Sequence, residues 1–200
     1  MEPSATDRFA AAKAAFFAVH DEDPARPRAA IYHDTLAAWV ERLPRPGMVV
    51  TEALRLAALC QHIRRWAIPR ADYPLGKPGY KQWRARLIVL HCDEATRILT
   101  EVGYPEATIE RVCELVGKKR FRSDPEAAWL EDAVCLTFLE LEFAAFAEGH
   151  PPEKIEQIVV KTWDKMTPIG HAAALSLLRT WPETPELVAL LARLSAPAPA

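Results

Sequence analysis

Apolar residues recur along this chain at spacings of three and four, which marks one helix face after another. The strict alternation of a half-buried strand is nearly absent, and no Asn-Gly or Asp-Gly turn joins two β-branched runs. The pattern predicts helices over roughly 5–20, 28–42, 49–67, 79–102, 106–117, 125–148, 152–164, 169–180 and 185–194. Between them lies proline-rich punctuation: DEDPARP, LPRPG, IPRADYPLGKPG, VGYP, KKRFRSDP, GHPP and TWPETP. Ser123 or Asp124 with Pro125 and Glu126 reads as a helix start, because proline is accepted in the first turn. No linker is long or polar enough to divide the chain. The expectation is therefore an all-α fold, one multi-helix domain over 1–195 with a disordered tail over 196–200.

Composition changes this picture little. Half the residues are apolar, enough for a core that needs no disulfide or metal staple. Cys60, Cys92, Cys113 and Cys135 all fall within apolar helical patterns and form no CxxC pair, so they read as reduced core residues. The run FAAAKAAFFAV is too short and too interrupted by Lys13 for a signal sequence. No stretch approaches the roughly 20 apolar residues of a membrane span. A cytoplasmic protein without a membrane partner is the expectation, and a net charge of −2 argues against a general polyanion binder.

The informative residues are ionisable side chains on otherwise apolar faces. His33 lies in line with Ala29, Leu36, Ala37 and Val40. His91 sits among Leu87, Ile88, Ala95, Ile98 and Val102, with Arg84 on the same face two turns earlier. Asp132 is flanked by Ala128, Leu136, Leu139 and Phe143, and His62 edges the stripe of Leu56, Leu59, Cys60 and Ile63. A buried carboxylate loses several kcal/mol of solvation unless it is paired, protonated or metal-bound. Three histidines and an aspartate on inward faces of four helices are donor types for zinc, iron or manganese. The competing reading is a set of satisfied core residues, with Asp132 in a buried salt bridge to a cation such as Arg84.

A second feature is basic. Between Gln61 and Leu90 stand Arg64, Arg65, Arg70, Lys77, Lys81, Arg84 and Arg86 against the single acid Asp72, with Trp66, Tyr73, Tyr80 and Trp83 interleaved. Guanidinium forks match phosphate oxygens, so this segment suits a phosphate-bearing ligand. A solvated cationic surface is the bland alternative. The run KKRFR follows a helix end, where cations complement the dipole.

Several of these residues resemble known families. TEALRLAALCQHIRRW is similar to the second helix of HD-domain phosphohydrolases, with His33 at the place of the first histidine ligand and LEDAVCLTF resembling the helix of the final aspartate. The resemblance implies a compact HD-like helical bundle with His33, His62 and Asp132 as metal ligands, and His91 as an additional one. Ile63 stands where that superfamily has aspartate, which implies a mononuclear site completed by His91 or Glu131. The motifs CQHIRRWAIPR, DYP, GYKQWR, LHCDEA, LEDAVCLTFLE and KTWDKM together resemble domain of unknown function 4202 over about residues 20–180. That signature marks His62, Arg65, Trp66, Arg70, Tyr73, Tyr80, Trp83, Arg84, His91, Glu131, Asp132, Lys161, Trp163 and Lys165.

The reading that follows is a hydrolase of a small phosphate ester or nucleotide, dependent on a divalent iron, manganese or zinc ion. Glu131 and Arg65 take catalytic roles. Arg65, Trp66, Arg70, Tyr73, Tyr80, Trp83, Arg84, Lys161 and Lys165 contact the ligand. Two alternatives stand beside it: a non-catalytic HD-like module binding a nucleotide or RNA through 64–86, and an HD-like iron oxygenase.

Overall fold

Proline punctuation marks most helix starts, and polar side chains cap three of them. A computed structural model of the chain describes residues 5–43, 45–118 and 122–181. The described residues are all-α, with nine α-helices, two single 3-10 turns and no strand. In order these are α1 (Ala5–His20), α2 (Arg28–Arg42), α3 (Glu52–Cys60), 3-10 turns at Arg65–Ala67 and Arg70–Asp72, α4 (Gly76–Val102), α5 (Glu106–Val116), α6 (Pro125–Leu141), α7 (Phe143–Glu148), α8 (Pro152–Trp163) and α9 (Pro168–Leu178). None of these helices is long and apolar enough to cross a membrane. The helix expected at 185–194 and the tail at 196–200 lie outside the described residues.

Asp124 is the cap of α6: its Oδ1 accepts from the backbone N–H groups of Glu126 and Ala127 at 3.0 and 3.3 Å. Thr51 and Thr167 do the same for α3 and α9 through their hydroxyls. Two expected helices are shorter than their pattern. The helix expected over 125–148 breaks at Glu142, whose φ of −115° departs from helical values, and Phe143 then turns into the core. The helix expected over 49–67 stops at Cys60, and Arg64 adopts a left-handed φ of 52° that no glycine announces.

α3 is buried all round: Leu54, Leu56, Ala57, Ala58, Leu59 and Cys60 are each almost fully enclosed. It packs among α1, α2, α5 and α6, and α4 lies against α5 and α1. α6 contributes Ala127, Trp129, Leu130, Ala133, Leu136 and Leu139 to the same core, and α9 packs on its far side. All four cysteines are free thiols, and burial pushes that of Cys135 up to about 12.

The segment before α4 is stapled down. The Arg70 guanidinium donates to the carbonyls of Tyr73 and Pro74, both at 2.9 Å, and Trp83 Nε1 donates to the Ile68 carbonyl at 2.9 Å. The chain folds back so closely that a Cβ at Gly79 meets the Pro74 carbonyl oxygen at 1.9 Å. Gly79→Ala is expected to lower stability by roughly 1–3 kcal/mol, as overpacking against backbone does. A urea midpoint equal to wild type disproves this close approach.

Candidate functional site

The early end of α3 leaves backbone groups without helical partners, and three histidines from other helices supply them. His20 Nε2 donates to the Leu59 carbonyl at 2.8 Å, and His91 Nδ1 donates to the Ile63 carbonyl at 2.7 Å. His33 Nε2 accepts the backbone N–H of His62 at 3.3 Å, while its Nδ1 donates to the Ala29 carbonyl at 2.7 Å. A carbonyl only accepts, so each bond fixes the tautomer of its ring. His20 and His33 also stack, with centroids 3.8 Å apart and planes within 7°.

These bonds divide the imidazole nitrogens into two sets. Both nitrogens of His33 are engaged internally. Nε2 of His91 and Nε2 of His62 are buried, yet neither has a hydrogen-bond partner. Their rings lie 5.9 Å apart, and Tyr32 stands 5.3 Å from His62. Two unpartnered buried ring nitrogens close together are unusual, since buried polar groups are nearly always satisfied.

Positive charge surrounds this pair. Burial, then the cations Arg65 and Lys118, neighbouring His91 and Arg84, hold His62 well below its ordinary value. His91 is lowered to about 4, chiefly by burial with Arg65, Arg84 and Lys118 adding to it. Arg65 is itself lowered by burial and by the like charge of Arg84, and its guanidinium lies 4.8 Å from the Trp83 ring centroid. Lys118 Nζ reaches Glu131 Oε2 at 2.5 Å, and Lys165 Nζ lies 3.8 Å from Glu131 Oε1. Burial works to raise the Glu131 carboxyl, but Lys118, Lys165 and Arg84 together keep it below the usual range. Arg64 and Lys118, both bordering the cluster, are the positive-φ non-glycine residues of the described chain. Such backbone strain concentrates at functional sites.

The expected metal set does not come together. Asp132 is enclosed elsewhere: its Oδ1 accepts from the Thr167 N–H at 2.7 Å, and its Oδ2 accepts from the Thr167 hydroxyl at 2.5 Å and from Arg45. Gly170 makes room for it, since a Cβ there would stand 2.4 Å from Asp132 Oδ1. The salt-bridge alternative is therefore realised, with Arg45 and not Arg84 as the cation. His33 has no free nitrogen to offer. Among the described residues no group of three or more His, Cys, Asp or Glu side chains is placed to hold a metal ion. The donor set that the HD resemblance implies is reduced to His62 and His91, in a setting whose net charge repels a cation.

Of the expected ligand contacts, Arg65 and Arg84 stand beside the histidines, and Lys165 approaches through Glu131. Arg70 and Trp83 are occupied in fastening the loop. Trp66 packs against the core, Tyr73 is half-buried, and Tyr80 is exposed with its ring 5.8 Å from that of Trp83. Lys161 is exposed on α8. Sequence reasoning missed Lys118, Tyr32 and His20. The signal for His20 was present, because it shares the apolar face of Ala12 and Phe16.

No curated protein and no solved structure matches this chain. The family profile described as Domain of unknown function (DUF4202) matches residues 10–188. That span takes in the histidine cluster, its surrounding cations and, except for the first turn of α1, the helices that position them, and the chain belongs to the DUF4202 family.

Proposed function

We propose that the cluster binds the phosphate group of a small phosphate ester or nucleotide. The observation that carries this reading is the pair of buried, unpartnered imidazole nitrogens at His62 and His91, set among cations. Among the described residues no carboxylate lies within 4.0 Å of Arg65 or Arg84, and the two guanidinium charges oppose one another inside the fold. An anion relieves that repulsion. A phosphate monoester titrates near neutrality, with its second pKa at about 6. A phosphate hydroxyl donates to an unprotonated ring nitrogen and a phosphate oxygen accepts from a protonated one, so both orphan nitrogens gain a partner. Hydrolysis at this site has the groups it needs for proton movement: the two imidazoles at the phosphate, and Glu131 held ionised behind Lys118.

The test is calorimetric titration with inorganic phosphate and with a mononucleotide. Arg84→Gln is expected to weaken binding about tenfold or more, in line with the loss of a charged hydrogen bond. Its melting temperature is expected to hold, because Arg84 has no ion pair to lose. Absence of phosphate binding, or equal binding by the variant, overturns the proposal.

One observation favours a second reading. His62 and His91, with rings 5.9 Å apart and one unpartnered nitrogen each, would be the protein donors to a single divalent iron, manganese or zinc ion, against the opposing charge of the surrounding cations. Such an ion supplies Lewis acidity when bound. Stoichiometric metal in the purified protein, lost in His62→Ala, selects this metal-dependent hydrolase over plain phosphate binding.

A further inference from the structure

One face of α4 runs from solvent into the cluster. Lys77, Lys81, Arg84, Ile88 and His91 follow one another at spacings of four, three, four and three, so their side chains rise in a single stripe. From Lys77 to His91 the stripe is about 21 Å long. At its inner end Arg84 and His91 both act on His62. At its outer end Lys77 and Lys81 are exposed, and the exposed ring of Tyr80 lies beside them.

Many cations elsewhere on the molecule are paired, although exposed ones such as Arg86 and Lys161 also have no carboxylate within 4.0 Å among the described residues. What sets this stripe apart is its alignment with the histidine cluster. Lys13, Arg28, Arg42, Arg55, Arg97 and Arg111 each have a carboxylate within 4.0 Å. Among the described residues, none lies that close to Lys77, Lys81 or Arg84. A lone nucleotide in the cluster leaves Lys77 and Lys81 uncompensated. A polyanion that continues outward from the cluster compensates both, and Tyr80 offers a ring for a base to stack on.

Resting on the phosphate reading of the cluster, we infer that the ligand is a single-stranded nucleic acid with a terminal phosphate. The end phosphate sits among Arg65, Arg84, His62 and His91. The following phosphodiesters track out along Lys81 and Lys77. The partner's charge is repeated at intervals, which is what the stripe matches.

Fluorescence anisotropy with a short oligouridylate, dye-labelled at its 3′ end, tests this on the full chain. The 5′-phosphorylated strand is expected to bind about tenfold or more tighter than the same strand with a 5′-hydroxyl, and tighter than inorganic phosphate. Replacing Lys77 and Lys81 by glutamine is expected to weaken strand binding and to flatten the log–log salt dependence by about 1.4, since each phosphate contact on a single strand contributes about 0.7. Inorganic phosphate binding and thermal melting of this double variant are expected to match wild type. The matching oligodeoxyuridylate, run in parallel, shows whether the sugar hydroxyl contributes to the same binding. Phosphate binding with no gain from the strand overturns this inference and leaves the phosphate reading standing. Binding of neither phosphate nor strand overturns both. Equal competition by polyglutamate, with no preference for the 5′-phosphate, shows a plain cationic surface and also overturns it.

Discussion

Asp132→Ala is expected to destabilise the protein by roughly 3–5 kcal/mol, the range for removing one partner of a buried ion pair. The Asp132 side chain is fully enclosed, and that of Arg45 is 9% exposed. Removing the carboxylate strands a buried guanidinium and takes the acceptor from both the Thr167 N–H and its hydroxyl. Those bonds tie the loop after α2 and the start of α9 to α6, so the loss reaches three elements. Arg45 also lies over Trp129, 5.6 Å from its ring centroid, so packing is lost when it is truncated as well. Arg45→Ala is expected to be similarly harmful, and the double alanine variant less harmful than the sum. An apolar pair, Asp132→Leu with Arg45→Met, is expected to recover most of the stability. Urea unfolding followed by circular dichroism measures all four. A loss below about 1 kcal/mol for Asp132→Ala, the value of an exposed pair, refutes a structural role and returns Asp132 to the candidates for ligand chemistry.

The limits of sequence reading are visible at this same residue. That Asp132 faces inward follows from helical spacing, and that it needs a partner follows from desolvation. The partner, Arg45, stands in the proline-rich LPRPG turn, where no periodicity indicates which way a side chain points. The helix start at Asp124 was legible because a small polar residue caps orphan N–H groups, whereas the caps Thr51 and Thr167 were not singled out. The stop of α3 was not, because Arg64 enters the left-handed region without the glycine that ordinarily permits it. That stop changes the meaning of the histidines. On a continuous helix they are spare inward donors. At a broken helix end, three of them are caps for Leu59, His62 and Ile63, and only afterwards do particular nitrogens remain for a ligand. Lys118 shows the same limit: as a cation after a helix end it was explained by the dipole alone, while in the fold it reaches Glu131.

Capping by buried neutral imidazoles has a further consequence: the protein is expected to lose stability steeply as pH falls below about 6.5. Burial lowers His20 and, with neighbouring His20 and His91, holds His33 well below the ordinary value. His62 is likewise held well below, and His91 is lowered to about 4. In the unfolded chain all four titrate near 6.5. Between that value and the folded values the unfolded state binds more protons, so unfolding is favoured by acid. Each histidine contributes at most about 1.4 kcal/mol per pH unit across its window, and four together approach about 5. Against a total stability of order 5–15 kcal/mol, that slope is enough to unfold the chain within a few pH units. The carboxylates act lower down: Glu131, held below its usual range by its cations, adds to acid lability, while Asp132, raised by burial, opposes it. Urea midpoints measured from about pH 7.5 to about pH 5.5 are therefore expected to fall continuously. Over that range, the four imidazole proton resonances are expected to keep their neutral-form shifts until unfolding. Inorganic phosphate is expected to reduce the slope, because at His62 and His91 it makes protonation favourable in the folded state. A midpoint that stays flat through this interval means that these rings charge freely in the folded protein. The buried caps, and the cluster built on them, would then be wrong.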